Sequence, residues 1–200
     1  MTCIATLRHN DTIYMACDSA WTFHQEGAIS VAREPKKIIA TPVLSSDEQV
    51  LVGVAGAADY LCLLHQSFPA HYLELPTFEN IQARIDKAFK EDDELWRTFA
   101  RGSDPGSILV AVGSKLYRII SRYAWIEIED DIYAVGSGAD LALGALSALR
   151  GGKSLTAAIV DKDIVAHWLT IAIETAEAYD AGVKRPFHLI STVRLRDEEK

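Results

Sequence analysis

The sequence predicts an α+β fold built on antiparallel sheets, and three observations predict it. The chain opens on a β-hairpin: residues 3–7 form a short apolar strand, His9-Asn10-Asp11 supplies turn chemistry, and Thr12–Cys17 is the return strand. Strands and helices then come in blocks and not in strict alternation, which argues against a doubly wound parallel sheet. Several strands are apolar on both faces, so they need cover on both sides, from a second sheet or from helices.

The elements follow in order. Residues 19–30 read as polar and irregular. Strands are expected over 37–40 and 50–55, with a loop at 41–49 between them. Helices are expected over 57–67 and 77–91; in the second, Phe78, Ile81, Ile85, Ala88 and Phe89 repeat at helical spacing behind Thr77, a candidate N-cap. Strands over Ser107–Val112, 116–120 and 132–135 come next. Helices over 139–149 and from 154 to about 179 follow, joined by Gly151-Gly152, and a strand over 187–193 nearly closes the chain. With no repeat, low-complexity tract or linker, the 200 residues read as one domain, 1–200.

Composition narrows the function classes. Hydrophobic residues at 49% and charged residues at 24% fit a folded chain able to bury its own core. Twenty basic against twenty-eight acidic residues give −8, which argues against nucleic acid as a partner, because that affinity needs clustered Lys and Arg. The acidic runs Glu91-Asp92-Asp93-Glu94, 127–131 and Asp197-Glu198-Glu199 read as solvated faces or ends. Cys3, Cys17 and Cys62 are an odd set without C-x-x-C spacing, as expected in a reducing compartment. The opening residues have neither a basic region nor a long apolar stretch, so no signal peptide is expected. No segment reaches the ~18 apolar residues of a membrane helix. A cytoplasmic protein without a membrane partner is the expectation.

Several motifs fail on inspection. Gly136-Ser137-Gly138 follows a strand and precedes a helix, but Leu141 stands at the third glycine position of a dinucleotide fingerprint and two helices follow before any strand. Gly152-Lys153-Ser154 resembles the end of a P-loop, yet Ser147 stands where the first glycine belongs. His9, His24, His65, His71, His167 and His188 show no ligand pairing, and no G-x-S-x-G elbow occurs. Neither a cofactor nor a metal is expected.

One constellation holds. A small second residue permits removal of Met1, which would expose Thr2 as the first residue. A free α-amine has a pKa of about 7.7–8, so it can take the proton of its own residue's hydroxyl, making Thr2 both nucleophile and base. Thr2 begins a hairpin whose second strand leads into Asp18, and Lys37 lies just before an apolar strand. If that strand lies beside the hairpin, Lys37 and Asp18 meet below Thr2; the ammonium would favour the alkoxide and Asp18 would orient it. Taken singly, Asp18 also reads as a turn-capping carboxylate and Lys37 as a solvated strand end.

In this pattern, residues 2–39, with Asp18-Ser19 and Lys36-Lys37-Ile38-Ile39, resemble the N-terminal-nucleophile peptidases of the proteasome β-subunit family. That group includes the peptidase subunit of the bacterial two-component heat-shock protease and bacterial proteasome homologues. The likeness continues through Val52-Gly53-Val54-Ala55-Gly56-Ala57-Ala58-Asp59 and Ala134-Val135-Gly136-Ser137-Gly138, and covers nearly the whole chain in order. The resemblance implies a four-layer αββα sandwich of two antiparallel sheets between helix layers. It also implies roles: Thr2 as nucleophile and base, Lys37 as the activating lysine, Asp18 as its carboxylate, and Gly56 as the oxyanion N–H. Ser137 corresponds to a serine near the terminal amine and Asp180 to a second acid, although Val183 stands where the family often has Ser.

This chain also departs from the family. Where D-S-R-A-T is common, it has Asp18-Ser19-Ala20-Trp21-Thr22. Trp21, beside Thr22 at the expected substrate pocket, either narrows that pocket or packs in a subunit contact. The resulting expectation is a threonine-type peptidase in a homo-oligomeric ring or double ring, acting on peptides or unfolded protein, with a regulatory ATPase by analogy. Two rival readings are a proteasome-like scaffold that assembles without cleaving peptides, and an amidase of small amides.

Overall fold

The computed structural model describes residues 2–23, 28–31, 36–44, 46–56, 58–68, 73–74, 76–90, 106–121, 124–151 and 161–193. Its elements, in chain order, are β1 Cys3–His9, β2 Thr12–Cys17, β3 Ala20–Phe23, β4 Ala28–Val31, β5 Ile38–Pro42, β6 Gln49–Ala55, α1 Ala58–Ser67 and α2 Phe78–Lys90. They continue with β7 Ser107–Val112, β8 Lys115–Ser121, β9 Ala124–Ile128, β10 Ile132–Gly136, α3 Ala139–Arg150, α4 Lys162–Tyr179 and β11 His188–Ser191. Two antiparallel sheets carry most of the strands, in the orders β10-β1-β2-β11 and β5-β6-β7-β8-β9.

Side-chain alternation along the strands sorts the core into layers. On β1, Cys3, Ala5 and Leu7 pack against α3 and α4, together with Leu146, Leu169 and Ile173. Ile4, between them in sequence, faces the other way with Ile13, Met15 and Val135 and meets Leu51, Leu109 and Ala111 of the facing sheet. Val50, Val52 and Val54 of β6 turn from that gap toward Leu64, Ile81 and Phe89 of α1 and α2. The result is α3/α4, sheet, sheet, α1/α2, the four-layer αββα arrangement.

The two sheets come close at Gly53. A Cβ there would lie 2.9 Å from Met15 Sδ and 3.4 Å from Ile4 Cδ1, tighter than ordinary contact. Local signals act as expected on the helices. Thr77 Oγ1 accepts the Asn80 amide at 3.3 Å, capping α2, and Gly151 ends α3 in the left-handed region at φ 60°.

Three strands depart from the sequence expectation. Residues 19–30, read as irregular, hold β3 and most of β4, a ribbon pairing Trp21 with Ser30 and Thr22 with Ile29. Its strands are only four residues each and sit outside both large sheets, so no long apolar run marks them. The acidic stretch beginning at Glu127 overlaps β9, an edge strand whose Ala124 to Glu127 are exposed; an edge escapes the apolar pattern that marks central strands. The expected helix start at 154, Glu91, the acidic run 91–94, Gly152-Lys153-Ser154 and the tail 197–199 lie outside the described residues. No helix of the described residues is long and apolar enough to cross a membrane.

Candidate active site

Antiparallel pairing gathers the expected site residues at one end of the sandwich. Cys3 pairs with Gly136, and Ile4 with Cys17, so the start of β1 meets the end of β10 and the end of β2. Ile38 pairs with Gly53, which sets Lys37 beside the last residues of β6. The Val54 amide donates to the Lys37 carbonyl at 2.9 Å.

Thr2 is buried at 5% exposure. Its amide nitrogen donates to Ser137 Oγ at 3.3 Å, while its carbonyl accepts from Ser137 Oγ at 3.4 Å and from the Gly138 amide at 3.3 Å. Only glycine fits at position 136: φ is +97°, and a Cβ would collide with the Thr2 carbonyl oxygen. Gly138 is equally crowded, its notional Cβ falling 2.9 Å from those of Cys3 and Ala176. The turn after β10 therefore grips Thr2 by backbone and hydroxyl at once.

Asp18 is the hub. It is fully buried, at 0% exposure, and accepts four N–H donors. Oδ1 takes Lys37 Nζ at 2.7 Å and the Cys3 amide at 2.9 Å; Oδ2 takes the Ala20 amide at 2.9 Å and the Lys184 amide at 3.3 Å. All four acceptor sites of the carboxylate are thus used. Because one oxygen serves both donors, the ammonium lies within two hydrogen-bond lengths of the Thr2–Cys3 peptide. Both single-residue alternatives from sequence can now be judged. Asp18 does cap its turn through Ala20, in addition to pairing with Lys37. Lys37 is not a solvated strand end, being 5% exposed. Its strand does not pair with the hairpin: β5 belongs to the facing sheet and packs across the gap, Ile38 sharing a cluster with Met15 and Cys17 of β2, and Lys37 reaches Asp18 from there.

The two thiols flanking this pair are inert. Burial first, and then the Asp18 charge, push Cys3 and Cys17 up to about 12, so both stay protonated near neutral pH. Cys3, next to Thr2, is therefore no competing nucleophile.

Gly56 follows β6 with φ +138°, and a Cβ on it would stand 2.6 Å from the Gly106 Cα, so glycine is required there on two grounds. Asp180 ends α4; Oδ1 accepts the Gly182 amide at 2.8 Å, while the buried Oδ2 has no hydrogen-bond partner. The Asp180 carbonyl accepts the Val183 amide at 3.0 Å, and Val183 abuts Gly138, whose amide holds the Thr2 carbonyl. Trp21 packs, partly buried, against the core under α1 and α2, with its Nε1 buried and unpartnered. Thr22 lies in β3, its side chain outside the described residues. No cluster of three or more His, Cys, Asp or Glu suited to a metal occurs among the described residues.

Sequence reasoning missed the Lys184–Pro186 stretch. Besides the Lys184 amide on Asp18, the Lys184 carbonyl accepts the Ser19 amide at 2.9 Å, and the Pro186 carbonyl accepts the Ser19 hydroxyl. Backbone groups do this work from 166 positions away, and no residue type signals it.

No family model matches the chain. Solved structures do. BPH of Thiobacillus denitrificans in complex with epoxomicin superposes with a TM-score of 0.69 at 20% identity, over 97% of this chain and 100% of that one. HslV of Trypanosoma brucei gives 0.62 at 21%, over 95% and 98%. Anbu of Yersinia bercovieri gives 0.68 at 14%, over 96% and 82%. At these identities the likeness is one of fold, and the fold is that of the proteasome-like N-terminal-nucleophile hydrolases.

Proposed function

We propose that this chain is an N-terminal threonine hydrolase that cleaves peptide bonds through an acyl-ester intermediate. Once Met1 is removed, the Thr2 amine accepts the hydroxyl proton, directly or through water, and Oγ1 attacks the substrate carbonyl carbon. The buried Lys37 ammonium stabilises the forming alkoxide, and Asp18 holds that ammonium in place. The Gly56 N–H stabilises the oxyanion as the carbonyl becomes tetrahedral. Collapse expels the amine of the departing peptide, which takes the proton from the Thr2 ammonium. Water, deprotonated by the same amine, then hydrolyses the ester. Ser137 orients the amine and Asp180 supports that end of the network. Trp21 and Thr22 border the side-chain pocket, which Trp21 narrows.

One observation carries this reading: Asp18 Oδ1 bonds both Lys37 Nζ and the Cys3 amide in a buried site next to Thr2. The proteasome-like fold supports the wider reading of a homo-oligomeric ring; peptide or unfolded-protein substrates and a regulatory ATPase enter by analogy alone. Intact mass should show loss of one Met. Thr2→Ala should abolish hydrolysis of a fluorogenic peptide and Lys37→Ala should nearly do so, with both variants folded. Full activity in either rejects the mechanism. BPH was solved with epoxomicin, so that compound is the first inhibitor to test. The scaffold reading draws on Trp21 and on Ala20 standing where the family has Arg; it predicts retained Met1 and no turnover. A small-amide substrate panel tests the amidase reading.

A further inference from the structure

The stretch that reaches Asp18 from behind is itself held by charge. Glu174 and Glu177 lie three residues apart on one face of α4. Arg185 folds back onto both. Its amide donates to Glu177 Oε1 at 3.1 Å, its Nε to Glu177 Oε2 at 2.9 Å, and its Nη2 to Glu174 Oε1 at 2.7 Å. The guanidinium also sits 4.9 Å over the Phe187 ring. Arg185 thus ties 184–187 to α4, and its neighbours deliver the Lys184 amide to Asp18 and two carbonyls to Ser19.

We propose that Glu174, Glu177 and Arg185 form an ion-pair staple that positions Asp18, and that it makes turnover depend on ionic strength. The proposal rests on the peptidase reading for its turnover arm only. The physical basis is the contrast between the two ion pairs. The Asp18–Lys37 pair is buried and little screened. The Arg185 side chain is 59% exposed, and its partners are partly exposed too, so salt reaches that pair first. Weakening the staple frees 184–187, which loosens one of the two oxygens of Asp18 without touching Lys37. These three are positioning residues: they act on Asp18 through the backbone of 184–187.

The test compares Arg185→Gln with Arg150→Gln, which removes the partly exposed pair between Arg150 at the end of α3 and Asp131. Hydrogen exchange at the Lys184 and Ala20 amides, both donors to Asp18 Oδ2, should quicken about fivefold in Arg185→Gln and stay at the wild-type rate in Arg150→Gln. Unchanged exchange in Arg185→Gln overturns the proposal. In turnover, Arg185→Gln should lower kcat about fivefold at 50 mM NaCl with KM within twofold. Wild type should fall to the same kcat by 1 M NaCl while the variant stays flat. A salt response equal to that of wild type overturns the proposal as well. Glu177→Gln, which keeps the shape and removes one charge, should show the same changes at smaller size, and covers the case of an Arg185 variant that fails to fold. A wild-type chain that cleaves no peptide refutes the peptidase reading instead, and the exchange rates still decide the staple.

Discussion

Asp18 and Lys37 form one ion pair, yet removing either partner should have unequal consequences. Asp18→Asn replaces one carboxylate oxygen with an NH2 group. Whichever way the amide turns, that group faces two donors: the Cys3 amide and Lys37 Nζ, or the Ala20 and Lys184 amides. Two hydrogen bonds are lost, and Lys37 is left buried without its counter-charge. Stranding one member of a buried pair costs about 3–5 kcal/mol, and a buried unsatisfied donor about 1–3 kcal/mol more. Asp18→Asn should therefore lose about 4–8 kcal/mol. Lys37→Met leaves the carboxylate with its three amide donors and refills the space with an apolar stem, so about 1–3 kcal/mol is expected. The double variant should be more stable than Asp18→Asn alone, because the stranded charge is gone. Urea unfolding of the three purified variants at pH 7, followed by tryptophan fluorescence, measures all three. If Lys37→Met is as damaging as Asp18→Asn, or if the two losses simply add, the hub description of Asp18 is wrong.

Gly136→Ala should displace Thr2, because its methyl group occupies the space of the Thr2 carbonyl and φ +97° disfavours any Cβ; the check is loss of at least a hundredfold in peptide hydrolysis, and wild-type turnover would contradict it. The Cys3 and Cys17 thiols, raised from 9.0 to about 12, are neutral in the fold while the unfolded chain ionises first. Their contribution is complete below pH 9.0 and is lost as pH rises toward 12, at up to about 1.4 kcal/mol per pH unit per thiol; urea midpoints measured across that window test the sign. His65→Ala should lower kcat a few-fold, since His65 Nε2 donates to the Lys36 carbonyl at 2.8 Å and so ties α1 to the peptide ahead of Lys37; His65→Gln should restore most of it, and equal loss in both variants would count against the link.

The parts of this fold legible in sequence are those where burial imposes a period. β2 and β7 run over the residues that their apolar pattern marks, and α2 buries Phe78, Ile81, Ile85, Ala88 and Phe89 as its spacing requires. β3, β4 and β9 were not legible, because a short ribbon and an exposed edge lack that constraint. In the site, Asp18 and Lys37 were legible through side-chain chemistry, and the ion pair bears out their meeting. The relation of β5 to the hairpin was not: facing across a gap and pairing within a sheet leave the same apolar strand in sequence. The amide of Lys184 carries no side-chain signal at all.

Gly53 has a consequence beyond core packing. It sits opposite Ile38, the residue after Lys37, and its bare Cα lets Met15 and Ile4 nestle against the other sheet. Lys37 hangs from one slab of the sandwich, and Thr2 with Asp18 from the other. The thickness of the filling thus sets the reach between ammonium and hydroxyl. A single methyl wedged at Gly53 would act like a shim in a vice, opening jaws whose bite lies farther along.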